Sequence, residues 1–338
     1  VIKGNFTSTK VAPAFKRNFH EIEETVTMAT TSRVIRYKDK LFNEKSFAYA
    51  DSGFFSLFSF ELIKGNPKLA LSGPNAVVFT ESAAKKYFEG EDPLGKTIKV
   101  GSTETEYVVT GVMRDCPSNS QIKFDFLGSF SSLDVWQEET YWNANYITYL
   151  LLSDPASISA LQEKIPGFMK KETAAELSGN DYVTFYLEPL RDVHLYSEYD
   201  GFEPNSSIVY VYITGALALL VLAIACFTFI NLSTAKSLGR AKEVGGRKEY
   251  GAQKGQIFWQ VIGESALLSF LALLFSIAIT IEILPAFGSL AERQLDVSSI
   301  FSSTIIGCML FILISISFFA GSYPALVLSR LEAVSVLK

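Results

Sequence analysis

The chain has few reactive or cross-linking side chains, with three cysteines and two histidines in 338 residues. Cys226 and Cys308 lie in apolar runs and Cys116 stands by itself, so a disulfide scaffold is excluded. His20 and His194 are far apart in sequence, and nothing local activates either of them or Cys116 as a nucleophile or base; solvated surface roles are expected for all three. Metal-ligand spacing is absent as well. Charge is also scarce, at 19% of residues against 49% hydrophobic, which is apolar for a water-soluble chain of this length. The net charge of -5 provides no clustered basic footprint, so nucleic acid is not an expected partner. The sequence begins at Val1 without an initiator Met, a basic n-region or an apolar h-region, and so reads as a fragment.

What charge there is divides unevenly. Residues 1–205 hold 21 Lys and Arg against 28 Asp and Glu, whereas 206–338 hold 9 against 7. Three runs in the second part suit hydrocarbon better than water. Residues 204–235 carry no charge and centre on Ile208 to Ile230, long enough to cross about 30 Å of lipid as a helix. Ser265 to Ile281 is uncharged and extends upstream through Trp259 and Ile257, interrupted by Glu264. Val297 to Ser329 is uncharged throughout. Three membrane helices are therefore expected, over about 208–232, 257–284 and 300–328. Lys236, Arg240, Lys242, Arg247, Lys248 and Lys254 lie between the first two, and Arg330 and Lys338 follow the third, which assigns both segments to the cytoplasm. Residues 1–205 then fall on the opposite side. An odd number of spans with a large exported region calls for a further helix upstream of Val1.

Residues 1–205 mix short strands and helices. Helices are expected at Thr9–Phe19, Glu81–Phe88 after a Thr80 cap, and Ile158 to about Leu177. Strands are expected at Thr31–Tyr37, Phe47–Ala50, Ala76–Phe79, Thr97–Val100, Glu106–Val112, Phe124–Phe130, Tyr146–Leu152 and Tyr182–Leu190. Asp51-Ser52-Gly53 reads as a turn able to cap a helix beginning at Phe54. The fold class is an α+β extracytoplasmic domain of two lobes, followed by an all-α membrane domain with three transmembrane helices.

Several motifs compete for a functional reading. Gly90 to Thr97 satisfies GxxxxGK[ST], yet a phosphate loop needs a strand before it and a helix after it, and here the order is reversed. Glu91 and Asp92 would also repel phosphate, so Asp92-Pro93-Leu94-Gly95 reads as a structural turn. The sequons at Asn5 and Asn205 are matches to a very short pattern. Residues 236–250 read as a short basic helix containing Arg240, Lys242, Glu243, Val244, Arg247 and Lys248, broken by Gly245, Gly246 and Gly251. This helix either sets topology at the headgroups or docks a cytoplasmic partner. Glu264 faces a bundle interior, pairs with a basic residue or lies at the interface.

Taken in order, several strings resemble one family. Asp51-Ser-Gly-Phe-Phe-Ser-Leu-Phe-Ser-Phe60, Gly65-Asn-Pro67, Asp92-Pro-Leu-Gly-Lys96, Pro117-Ser-Asn-Ser120 and Asp192-Val-His-Leu195 resemble the periplasmic core domain of MacB-like ABC transporter permeases. Arg240-Ala-Lys-Glu-Val-Gly245, Arg247-Lys248, Gly251-Ala252, Glu264-Ser265 and Ala320-Gly-Ser-Tyr-Pro-Ala325 are similar to the FtsX-type permease region. The resemblance implies a periplasmic domain over 1–205 and a transmembrane domain over 206–338 in a bacterial inner membrane, as the first half of a longer protein. It also implies a non-catalytic subunit without its own cofactor, ATP being bound by a separate cytoplasmic ATPase that docks on Arg240, Lys242, Glu243, Val244, Arg247 and Lys248. Further implied partners are membrane lipid, a periplasmic adaptor and outer-membrane channel, and a second permease copy or homodimer. ATP-driven motion would reach the periplasmic domain for export or efflux. The alternative is a membrane-anchored sensor or regulator of cell-wall hydrolases or lipoprotein release; a membrane-bound hydrolase is disfavoured by the poor inventory of nucleophiles and bases. Gly246 stands where the family usually has an aliphatic residue, which is expected to soften the docking helix.

Overall fold

The computed structural model describes residues 4–177, 181–290 and 295–330; the side chains of 237–239, 241, 242, 248, 320 and 327–330 lie outside the description. The first helix, α1, is Val11–Asn18 and buries Val11, Ala12, Ala14 and Phe15. Pro13 falls in its first turn, where a missing N–H interrupts no helical bond. Two antiparallel strands follow, β1 at Ile22–Tyr37 and β2 at Lys40–Ala50. Both are longer than the alternation in the sequence suggests. Thr25, Val26, Thr27 and Met28 are buried in succession, and burial on both faces erases the period of two by which a strand is recognised.

After β2, Phe54–Leu57 makes a single helical turn, α2, whose N-cap position is Gly53 with no side-chain bond. Asp51 does not cap it. Its Oδ2 accepts the Thr27 N–H at 2.7 Å, so this side chain ties the turn to β1. Next come β3 (Leu62–Gly65), β4 (Ala76–Thr80) and α3 (Glu81–Phe88). Thr80 caps α3 as expected, its Oγ1 accepting the Ala83 N–H at 3.3 Å. β3 is short and largely exposed, which left no pattern to read. β5 (Thr97–Val100), β6 (Thr105–Met113), β7 (Phe126–Ser129) and β8 (Ile147–Leu152) follow near their expected positions, and then α4 (Ile158–Glu172).

The strand expected at Tyr182–Leu190 does not form. Residues 181–189 run without a ladder and Leu190–Tyr196 is a helix, α5. The alternation there reflects burial of one side: Val183, Phe185 and Leu187 pack with Phe15, Leu161 and Ile165. The Gln162 side-chain amide takes the place of a strand partner, donating to the Phe185 carbonyl at 2.9 Å and accepting the Leu187 N–H at 2.7 Å.

Among the described residues the eight strands belong to one sheet, ordered β2-β7-β4-β6-β5-β1-β8 with β3 on β6. Because β1 also pairs with β2, the six strands from β2 to β1 close on themselves and leave fewer edges to protect. β1 is long enough to pair with further strands along its length: its start pairs with β8, and Ile35 and Arg36 pair with β5. Near the end of this domain a polar knot gathers around Gln121. Its Nε2 donates to the Glu203 carbonyl at 2.8 Å and to Asn205 Oδ1 at 3.0 Å, and its Oε1 lies 3.1 Å from His194 Nδ1. Gln121 and His194 belong with two segments, at 117–121 and 192–195, that nothing in the sequence alone brings together.

The chain divides into two compact units, 1–208 and 209–338. The second is helical: α6 (Ile208–Gly239), α7 (Ala241–Glu249), α8 (Lys254–Leu290) and α9 (Ser303–Arg330). α6, α8 and α9 are long and apolar enough to cross a membrane. α9 starts later than expected because Val297–Phe301 is a 3-10 turn, where Asp296 Oδ1 accepts the Ser298 N–H at 2.9 Å. α8 packs along α9, with Gly321 of α9 set against Ser265 and Ile262 of α8. A Cβ added there would lie 2.9 Å from Ser265 Oγ and 3.1 Å from Ile262 Cδ1, so a larger residue would force the α8 side chains to shift.

Candidate functional site

The basic segment between the first two long helices folds as α7, nine residues connected by Arg240 to the end of α6. Its C-terminal end has a defined signal. Gly251 has φ +93, and the Ala252 N–H donates to the Arg247 carbonyl at 3.0 Å, the bond that closes a Schellman-type ending. A glycine is required there because the left-handed conformation strains any residue with a Cβ.

α7 does not stand free. Val244, assigned to a docking face from the sequence, is only 8% exposed and packs with Ile257, Val261 and Ile262 of α8 and Ala325 of α9. Arg240 reaches across to Glu264 with two bonds, Nη1 to Oε2 at 2.7 Å and Nη2 to Oε1 at 3.3 Å. Glu264 is therefore paired with a basic residue, one of the three roles open to it in the sequence. Glu243 accepts from Arg247 Nη2 at 2.7 Å and from Arg240 Nε at 3.5 Å. Arg247 Nη1 also donates to Gln260 Oε1 at 3.1 Å, and Gln260 Nε2 donates to Glu264 Oε1 at 3.2 Å. Of the sequence-assigned site residues, Arg240, Glu243, Val244, Arg247 and Glu264 thus meet at one place, while the side chains of Lys242 and Lys248 lie outside the described residues. The sequence reading missed Gln260, although its spacing of four from Glu264 places both on one face of α8. It also passed over Tyr250, which is 96% exposed just beyond α7.

The remaining motifs are occupied structurally. Lys96 of the phosphate-loop-like string pairs with Glu91, and Lys38 reaches the same carboxylate at 3.1 Å. Those two ammonium groups, Lys96 first, hold the Glu91 carboxyl down at about 2. Gly95 sits at φ +75, and the Lys96 N–H donates to the Pro93 carbonyl at 3.1 Å, which makes the segment a tight turn. Cys116 Sγ donates to the Phe124 carbonyl at 3.4 Å, and burial pushes its thiol up to about 11, the opposite of what a nucleophile requires.

Two consecutive family matches coincide with the two units. The MacB-like periplasmic core domain matches residues 3–168, and the FtsX-like permease C-terminal region matches residues 215–333. A sheet domain of the first kind joined to three long apolar helices of the second defines a membrane permease component of an ABC transporter. The chain belongs to the MacB/FtsX-like permeases.

Among solved structures, a domain of a permease protein from Porphyromonas gingivalis is similar at 23% identity, covering 56% of this chain and 85% of that one, with a TM-score of 0.47. The extracellular domain of the noncanonic ABC-type transporter YknZ from Gram-positive bacteria is 16% identical over 53% of this chain and 89% of its own, with a TM-score of 0.41. The periplasmic region of MacB from Actinobacillus actinomycetemcomitans is 19% identical over 50% and 82%, with a TM-score of 0.37. No curated protein matches the chain at a significant level.

Proposed function

We propose that the chain is the membrane-spanning subunit of an ABC transporter whose ATPase is a separate cytoplasmic protein docking at α7. In this reading residues 1–205 lie in the periplasm and α7 in the cytoplasm, which the distribution of lysine and arginine supports. The observation that carries it is the seating of α7. A short basic helix outside the spans is fastened to α8 by Val244 and by two arginines. α8 itself runs 37 residues, about 55 Å at the rise of an α-helix, which exceeds the thickness of the hydrocarbon. A push on α7 therefore arrives at the start of a long continuous helix and at Ala325 of α9 packed beside it. ATP is bound by the partner, and the cargo is exported by motion passed to the periplasmic domain rather than by chemistry in this chain.

The test is co-purification of the ATPase subunit with the complete permease in detergent, followed by cargo export in cells. Replacing Lys242 and Lys248 by Glu together with Tyr250→Ala is expected to reduce ATPase recovery at least about tenfold, an amount that loss of a charged and aromatic anchor can account for. Normal recovery and normal export from that variant would remove the docking assignment.

A further inference from the structure

The five polar side chains beside α7 form a closed circuit. Gln260 donates to Glu264, Glu264 accepts from Arg240, Arg240 donates to Glu243, Glu243 accepts from Arg247, and Arg247 donates back to Gln260. Two guanidinium groups face two carboxylates, so the circuit has no net formal charge to offer a partner. It bridges three places in the chain: the α6–α7 junction at Arg240, the body of α7 at Glu243 and Arg247, and one turn of α8 at Gln260 and Glu264. Val244 is buried between α7 and α8 close by, so the joint combines an apolar contact with a polar ring.

We infer that this ring is a joint and not a docking surface: Gln260 and Glu264 are positioning residues that make α7 move as one piece with α8, and the ATPase grips α7 elsewhere, toward the exposed Tyr250. The inference rests on the docking reading above and reassigns three of its residues. Arg240, Glu243 and Arg247 act inside the subunit. Each pair is half exposed and weak by itself. Closing five groups into one ring means that the helix lets go only when several bonds break together.

A charge swap separates a joint from a docking surface. In the complete permease with its ATPase, reconstituted in lipid, Arg240→Glu places three carboxylates together and is expected to lower permease-stimulated ATP hydrolysis about three- to tenfold. Adding Glu264→Arg restores the opposite charges and is expected to bring the rate back to within about twofold of wild type. Amide exchange across 241–250 should accelerate in the single variant and slow again in the double one. A residue that touched the ATPase directly would not be rescued, because position 240 would still carry the wrong sign toward the partner. The joint is refuted if the double variant is no better than the single one in both rate and exchange, or if Arg240→Glu changes neither. Failure of the wild-type chain to bind any ATPase would remove the docking reading itself, a different result from a swap that does not rescue.

Discussion

Asp51 lies in a turn whose residues suggest a helix cap, yet its carboxylate points to β1 and accepts the Thr27 N–H. Burial lifts its carboxyl above the usual range, opposed by the Thr27 bonds and assisted by the nearby Glu24 charge. An acid raised in this way costs the fold while it is ionised, and the cost disappears as the pH falls through the raised value. Asp51→Asn keeps an acceptor for Thr27 and discards the charge, so it is expected to raise the unfolding temperature of the solubilised chain at pH 7. The gain should shrink toward acid as the native Asp51 takes up its proton. Asp51→Ala leaves a backbone donor without its partner and is expected to cost about 1–3 kcal/mol. Thermal unfolding at several pH values checks all three outcomes, and a destabilised Asp51→Asn would contradict the assignment. The sequence could not disclose this role because Thr27 is 24 positions away. The same holds for Gln121 and His194, and for Gln260, an ordinary polar residue until the fold brings Arg247 to it.

Among the elements, those with a single buried face and a local punctuation signal were legible. α3 begins after Thr80 and ends before Gly90, and the apolar runs located all three long helices. Elements defined by distant partners were misread: β1 is buried on both faces along Thr25–Met28, and 181–189 alternates like a strand but is satisfied by a glutamine side chain. Of the candidate site, the basic helix was legible from charge and glycine, whereas the division of its residues between an inner ring and an outer surface depends on where α8 lies. Small residues carry separate meanings in this region. Gly321 is tightly set against Ser265 of α8, whereas Gly246 in α7 has nothing within 4 Å of an added Cβ. Its backbone is in the helical range, so its flexibility is removable. Gly246→Ala is expected to stabilise α7 by about 0.5–1 kcal/mol, seen as slower amide exchange over 241–250. Faster exchange would show that Gly246 holds a conformation that alanine cannot adopt.

At the scale of the whole chain, two units with different solvents are joined in one polypeptide. The first closes a sheet around aromatic cores and carries an excess of acidic residues; the second exposes Leu, Ile, Val and Phe along three helices and concentrates its cations in the elbow at α7. Such a surface is stable only where lipid covers it. In the proposed topology the sheet domain faces the periplasm while the elbow faces the cytoplasm, where an ATPase can hold it. The direct measurement is labelling of single cysteines with a membrane-impermeant maleimide, after replacement of Cys116, Cys226 and Cys308. Lys68→Cys in the sheet domain should react in intact spheroplasts, and Tyr250→Cys beyond α7 should react only after the membrane is opened. Reaction of Tyr250→Cys from outside, or protection of Lys68→Cys, would contradict the account.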